Sequence, residues 1–130
     1  MTGRRAALEP IDRSWAVLLT TYKRDGTPVA TPVNVAVEGD HAYFRTYDKA
    51  WKAKRIGNNS TIEIAPSSVR GRPTGQALRG RARLLGGGED RHARTVIAKR
   101  HPVFQGLVVP LTHRICRYTT MHYEVSIANT

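Results

Sequence analysis

The sequence predicts a mainly β domain: a small barrel of about six antiparallel strands with flanking helices. Runs rich in β-branched and aromatic residues fill most of the first 46 positions, Gly, Pro, Asn and Asp punctuate them at short intervals, and only two later segments have helical composition. The chain of 130 residues is long enough to bury about two thirds of its unfolded surface and too short for two ordinary domains. With no internal repeat and no long linker, residues 1–130 read as one domain.

Residues 15–22 (WAVLLTTY) and 27–37 (TPVATPVNVAV) are strand-like, the second with valines at 29, 33, 35 and 37 on one face. The turn Lys23-Arg24-Asp25-Gly26 between them marks a β-hairpin. Pro32 lies inside the second run and donates no ladder hydrogen bond, so that strand is expected at an edge or bulged. The alternative role is functional: Thr31-Pro32-Val33-Asn34 breaks the ladder so that backbone groups face a ligand. After the turn Glu38-Gly39-Asp40, residues 41–46 (HAYFRT) form a third strand of an antiparallel meander.

Residues 48–56 (DKAWKAKRI) are predicted as a helix capped by Asp48, anchored by Trp51 and Ile56 and ended by Gly57-Asn58-Asn59. Residues 61–65 (TIEIA) read as a strand stopping at Pro66, and 67–75 as a loop. Residues 76–85 return to strand with Ala77, Arg79, Arg81 and Arg83 on one side. A flexible Gly86-Gly87-Gly88 link leads to a helix over 89–100, acidic first and basic last as the helix dipole favours, and closed by His101-Pro102. A final long strand is expected within 110–127, best defined over 114–118 and 121–125.

Twenty-one Lys and Arg against ten Asp and Glu give a formal charge of +11. Polyanions are therefore attracted: nucleic acid, an acidic membrane surface, or a phosphorylated or polycarboxylate ligand. No run approaches the roughly 20 apolar residues that cross a bilayer, and the basic N-terminus lacks the apolar stretch of a signal peptide. The one cysteine, Cys116, excludes an intrachain disulfide. The expectation is a soluble, cytoplasmic protein.

Five histidines at 41, 92, 101, 113 and 122 show no metal-ligand spacing, and His113 and Cys116 would point to opposite faces of a strand, so no metal is expected. Hydrolase elbows, Walker loops and dinucleotide fingerprints do not occur. An anion site is the remaining chemistry: Phe44-Arg45-Thr46 feeds into Lys49, Lys52, Lys54 and Arg55 across a strand-to-helix junction. Lys52 and Arg55 share a helix face, Lys54 projects elsewhere, and the Thr46 hydroxyl can donate to the same anion. A plain solvated basic helix is the competing explanation. Arg70-Gly71-Arg72-Pro73 coincides with the core of a minor-groove AT-hook, or is a simple Gly- and Pro-rich turn.

The ordered succession Val17-Leu18-Leu19-Thr20-Thr21, the Lys-Arg-Asp-Gly-Thr-Pro turn, Val29-Ala30-Thr31-Pro32-Val33, Tyr43-Phe44-Arg45-Thr46 and 51–59 (WKAKRIGNN) resembles the pyridoxamine 5'-phosphate oxidase-like split β-barrel proteins. Within them it is most similar to the actinobacterial branch associated with the deazaflavin coenzyme F420, to one subgroup of which 65–66 and 69–75 are also similar. The resemblance spans residues 15–85. It implies an FMN-binding-like split β-barrel, flavin- or deazaflavin-binding, working as a homodimer with a cofactor in each of two grooves between subunits.

By this resemblance Lys52 is the candidate phosphate ligand, assisted by Thr46, Arg45, Lys54 and Arg55, while Thr31, Pro32, Val33 and Asn34 line the ring. FMN-using oxidases of the family tend to carry Ser-Arg-Lys where this chain has Ala50-Trp51-Lys52, so two polar phosphate ligands are absent. Coenzyme F420, with a phosphate and several glutamates, suits the basic composition, and Arg70, Arg72, Arg79, Arg81 and Arg83 are candidates to steer its tail. The implied function is an F420-dependent oxidoreductase that exchanges a hydride with a small organic substrate, Tyr22, Tyr47 and Tyr123 being possible proton donors. An FMN-binding oxidoreductase of the pyridoxamine phosphate oxidase type, a cofactor carrier without turnover, and a DNA-binding protein using Arg70-Gly71-Arg72-Pro73 are the competing readings.

Overall fold

The computed structural model describes residues 2–47, 50–101 and 120–127. Two short helices, α1 (Thr2–Ala7) and α2 (Glu9–Arg13), precede β1 (Ala16–Tyr22), β2 (Pro28–Val33), β3 (Val35–Glu38) and β4 (His41–Tyr47). Then come α3 (Trp51–Asn58), β5 (Thr61–Ser67), β6 (Leu78–Leu84), α4 (Gly87–Arg100) and β7 (Thr120–Ile127). The seven strands among the described residues make one antiparallel sheet in the order β2-β1-β5-β6-β7-β4-β3. The count exceeds the expected six because the run over 27–37 divides. Its first half pairs with β1, ending at Val33↔Val17, and its second half pairs with β4, beginning at Val35↔Phe44.

That division brings the two ends of the sheet together. The two end strands of the sheet, β2 and β3, are neighbours in the chain separated only by Asn34, so the sheet curls until its edges meet at one residue. Pro32 sits where its lack of an N–H is tolerated, on an edge strand with β1 as its ladder partner. The side-chain amide of Asn34 fixes the break by donating to the Trp15 carbonyl at 3.0 Å.

Residues of every strand but β2 fill the interior: Val17, Leu19, Val35, Ala42, Phe44, Ile62, Ile64, Ala82, Tyr123, Val125 and Ile127 are buried together, with Val33 of β2 packed against them. Phe44 and Tyr123 stack there with ring centroids 5.1 Å apart. Leu8, between the two unexpected N-terminal helices, Ile11 of α2 and Ile56 of α3 complete this core. The outer face of β3 and β4 takes α4, which packs Ala93 and Ile97 on Ala36, Tyr43 and Leu85. Polar clasps add direction: His122 to Asp90 at 2.8 Å, His92 to Glu38 at 2.7 Å, and Arg83 to Glu89 at 2.8 Å.

Other boundaries shift for local reasons. β5 runs through Pro66 to Ser67, because Pro66 pairs with Val17 of β1 after the β6 ladder has ended at Ile64↔Leu78. Gly87 and Gly88 belong to α4 rather than to a flexible link. α3 begins at Trp51 with Ala50 as its N-cap; the expected cap Asp48 lies outside the described residues, as do Lys49, His113, Cys116 and the strand over 114–118. Trp51 does not anchor α3: it is 71% exposed, while Ala53 and Ile56 are buried.

Gly80 shows how tightly the barrel is drawn. A Cβ there would overlap the Ser126 carbonyl oxygen and lie 3.0 Å from the Ile127 Cα, both backbone atoms of β7. Gly80→Ala is therefore expected to lower the free energy of unfolding by about 1–3 kcal/mol, read as a shift of the urea midpoint.

Candidate functional site

The exchange of partners at Asn34 leaves a wedge. β3 accompanies β4 only as far as Phe44, so Arg45, Thr46 and Tyr47 continue with β7 on one side, opposite Thr120, Met121 and His122. β2 meanwhile has swung away to β1. The two diverging arms, Pro32-Val33-Asn34 and Arg45-Thr46-Tyr47, line a cleft of about 270 Å³ together with Lys52 of α3 and Ile97 and His101 at the C-terminal end of α4.

Six of the nine predicted site residues thus meet: Pro32, Val33, Asn34, Arg45, Thr46 and Lys52. Thr31, opposite Leu19 in the β1–β2 ladder, does not line the cleft. Lys54 and Arg55 turn to a separate groove with Lys23, Arg24, Trp51 and Asn58. Lys54 Nζ stands 4.6 Å over the Trp51 ring, and Arg55 Nε donates to the Thr21 hydroxyl at 2.6 Å. The shared helix face expected for Lys52 and Arg55 therefore does not bring them to one cavity, because Arg55 is drawn onto the buried Thr21 of β1.

Lys52 and Arg45 set the electrostatics. Both are half-buried, and burial pulls each below its ordinary pKa; for Lys52 repulsion from Arg55 adds to this. No carboxylate among the described residues pairs with Lys52. Two partly desolvated cations converging on a cleft favour an anionic group there, which would restore what burial removes. The Thr46 hydroxyl, on a residue 5% exposed, is a neutral donor in the same wall. Pro32, Val33 and Ile97 supply apolar surface suited to a flat ring.

Tyr47, Ile97 and His101 complete the lining. Ile97 and His101 were not legible as site residues: in the sequence they belong to the end of a surface helix, and only the docking of α4 on β3 carries them to the wedge. Arg100 of the same turn donates to the Asp12 carbonyl at 3.2 Å, and His101 Nε2 stands 3.3 Å from the Val35 carbonyl. Of the other tyrosines considered, Tyr22 donates to Glu63 at 2.6 Å and Tyr123 is buried in the core.

The arginines divide. Arg70 and Arg72 lie on a closed loop: the Ser68 N–H donates to the Arg72 carbonyl at 2.8 Å and the Gly71 N–H to the Ser68 carbonyl at 3.0 Å. Gly71 has φ +85° and packs on the cleft wall, where a Cβ would lie 3.4 Å from Pro32 Cγ. Arg79 and Arg81 line another depression with Arg4 and Ser126, and Ser126 pairs with His41 at the far end of β4 from the cleft. Arg83 is held by Glu89 and by Glu124 at 3.2 Å. No group of three or more potential metal ligands occurs among the described residues, and no helix among them is long and apolar enough to cross a membrane.

No protein-family model matches the chain, and no curated protein matches it. Solved structures do. The chain superposes on a candidate pyridoxamine 5'-phosphate oxidase from Listeria innocua with a TM-score of 0.67 at 15% identity, covering 97% of this chain and 94% of that one. The haem storage protein HutZ from Vibrio cholerae gives 0.68 at 12% identity, over 97% and 90%. An F420-H2 dependent reductase, FDR-A, gives 0.62 at 15%, over 86% and 94%. The fold is a split β-barrel. At these identities the likeness extends to the fold, and the chemistry must be argued from the cleft.

His101 and His122 also predict a pH dependence. Burial is the main cause holding both below the ordinary imidazole value of 6.5, outweighing the Val35 carbonyl for His101 and Asp90 for His122. The unfolded chain then takes up protons that the folded one resists. Stability is expected to be flat above about pH 6.5 and to fall as pH drops below it, before the carboxylates titrate. His122→Leu should flatten part of that fall in urea titrations between pH 7 and 5; an unchanged slope would contradict the assignment.

Proposed function

We propose that the protein is an F420-dependent oxidoreductase, cytoplasmic and homodimeric, that exchanges a hydride with a small organic substrate. The observation that carries this reading is the wedge beside Asn34: one cleft joins two partly buried cations without a described acid partner for Lys52 to an apolar slot formed by a broken strand. These features fit a flat ring ending in an anionic chain.

Lys52 and Arg45 would hold the phosphate, with the Thr46 hydroxyl donating to it. Pro32 and Val33 on one arm and Ile97 on α4 would sandwich the ring and exclude water from it. When bound, the deazaflavin supplies hydride transfer between its C5 carbon and the substrate. Tyr47, the one of the three candidate tyrosines that lines the cleft, would pass a proton to the substrate. Arg70 and Arg72, on the loop that packs against Pro32, are the arginines placed to meet an acidic tail; Arg83 is engaged by its own carboxylates.

F420 is favoured over FMN because Ala50 and Trp51 replace polar phosphate ligands and the charge of +11 rewards a longer anion. The DNA-binding reading is not favoured: an AT-hook lies extended in the minor groove, whereas Arg70-Gly71-Arg72-Pro73 is folded into a turn closed by the Ser67↔Pro73 bridge.

Fluorescence titration should show F420 binding at least about tenfold tighter than FMN, weakening as salt rises. Lys52→Ala should weaken F420 binding by about ten- to a hundredfold, as for a lost charge-assisted hydrogen bond, while leaving the urea midpoint nearly unchanged. Equal affinity in the variant would move the anion site elsewhere.

A further inference from the structure

We propose that His101 is a specificity-determining residue of the cleft, its Nδ1 accepting a hydrogen bond from the imide N–H of a bound heteroaromatic ring. The proposal deepens the cofactor reading and rests on it.

His101 ends α4, is 4% exposed and lines the cleft. Its Nε2 stands 3.3 Å from the Val35 carbonyl, which only accepts, so Nε2 carries the proton and Nδ1 presents a lone pair. Nδ1 is itself buried and has no hydrogen-bond partner among the described residues. The ring is held in place by the Val35 contact and by the edge-to-face packing of Trp15 at 5.9 Å. Burial first, and then Arg100 and Arg45 nearby, oppose a second proton on the imidazole, which leaves Nδ1 an acceptor. An unpaired buried acceptor is costly, and one on a residue that lines a cleft is satisfied when a ligand brings a donor within its reach.

The chemistry of that donor follows. Phosphates and carboxylates only accept at neutral pH, so they belong with Lys52 and Arg45 and are repelled by the Nδ1 lone pair. A flavin or deazaflavin ring offers one donor flanked by two carbonyls, its imide N–H. The cleft is thus divided between cations for the charged chain and a neutral acceptor for the ring edge, and it selects rings by their N–H.

Coenzyme F420 and its N3-methylated derivative would be titrated against the native protein and His101→Phe. Methylation should weaken native binding about tenfold, His101→Phe should weaken F420 binding similarly, and the two changes together should cost no more than either alone. Nitrogen-15 spectra of the native F420 complex should show His101 neutral with its proton on Nε2, a readout that stands if the variant fails to fold. Tight F420 binding that ignores methylation, or a doubly protonated His101 in the complex, would overturn the assignment and leave the cofactor reading intact. No F420 binding by the native protein would overturn both.

Discussion

The structure depends on one strand changing neighbours. Residues 28–38 run on in one direction, yet they bond to β1 up to Val33 and to β4 from Val35, with Asn34 between belonging to neither ladder. A fully closed barrel abolishes exposed edges, whereas here β2 and β3 are joined only through Asn34 and share no ladder. The consequence is geometric: above Asn34 the two edges must part. The Asn34 amide, held on the Trp15 carbonyl, fixes where they part and prevents the register from sliding to heal the gap.

Everything proposed for the site follows from that gap. A continuous ladder would bring β2 alongside Arg45, Thr46 and Tyr47 and leave no cleft. Instead α3 brings Lys52 to one side of the opening and α4 brings Ile97 and His101 to another. The Arg70–Arg72 loop lies beside the cleft wall, where a Cβ on Gly71 would stand 3.4 Å from Pro32 Cγ. Packing thus places ionisable groups where their charged forms are disfavoured, and burial lowers the pKa of Lys52, Arg45 and His101 alike.

Much of the fold was legible because local pattern and tertiary role agree. The β-branched and aromatic content of β1 and β4 and the acidic-to-basic gradient of α4 mean the same thing in isolation as in the barrel. Pro32 correctly marked an edge. The partner exchange was not legible, since the valines at 33, 35 and 37 alternate identically whichever strand lies beside them. Leu8 and Ile11 stand among charged residues over too few turns for a periodic signal, so the N-terminal helices escaped notice. At the site, residues local to the strand-to-helix junction were readable from charge and spacing. Arg55 was not, because its destination depends on Thr21 across the barrel, and neither was His101, because its place depends on how α4 docks.

The most direct test is a crystal structure of the protein grown with coenzyme F420. The account predicts the ring seated between Pro32–Asn34 and Arg45–Tyr47, with its phosphate beside Lys52. Ring density in the Trp51 groove or over Arg79 and Arg81, with the wedge at Asn34 closed by the protein's own side chains, would contradict it.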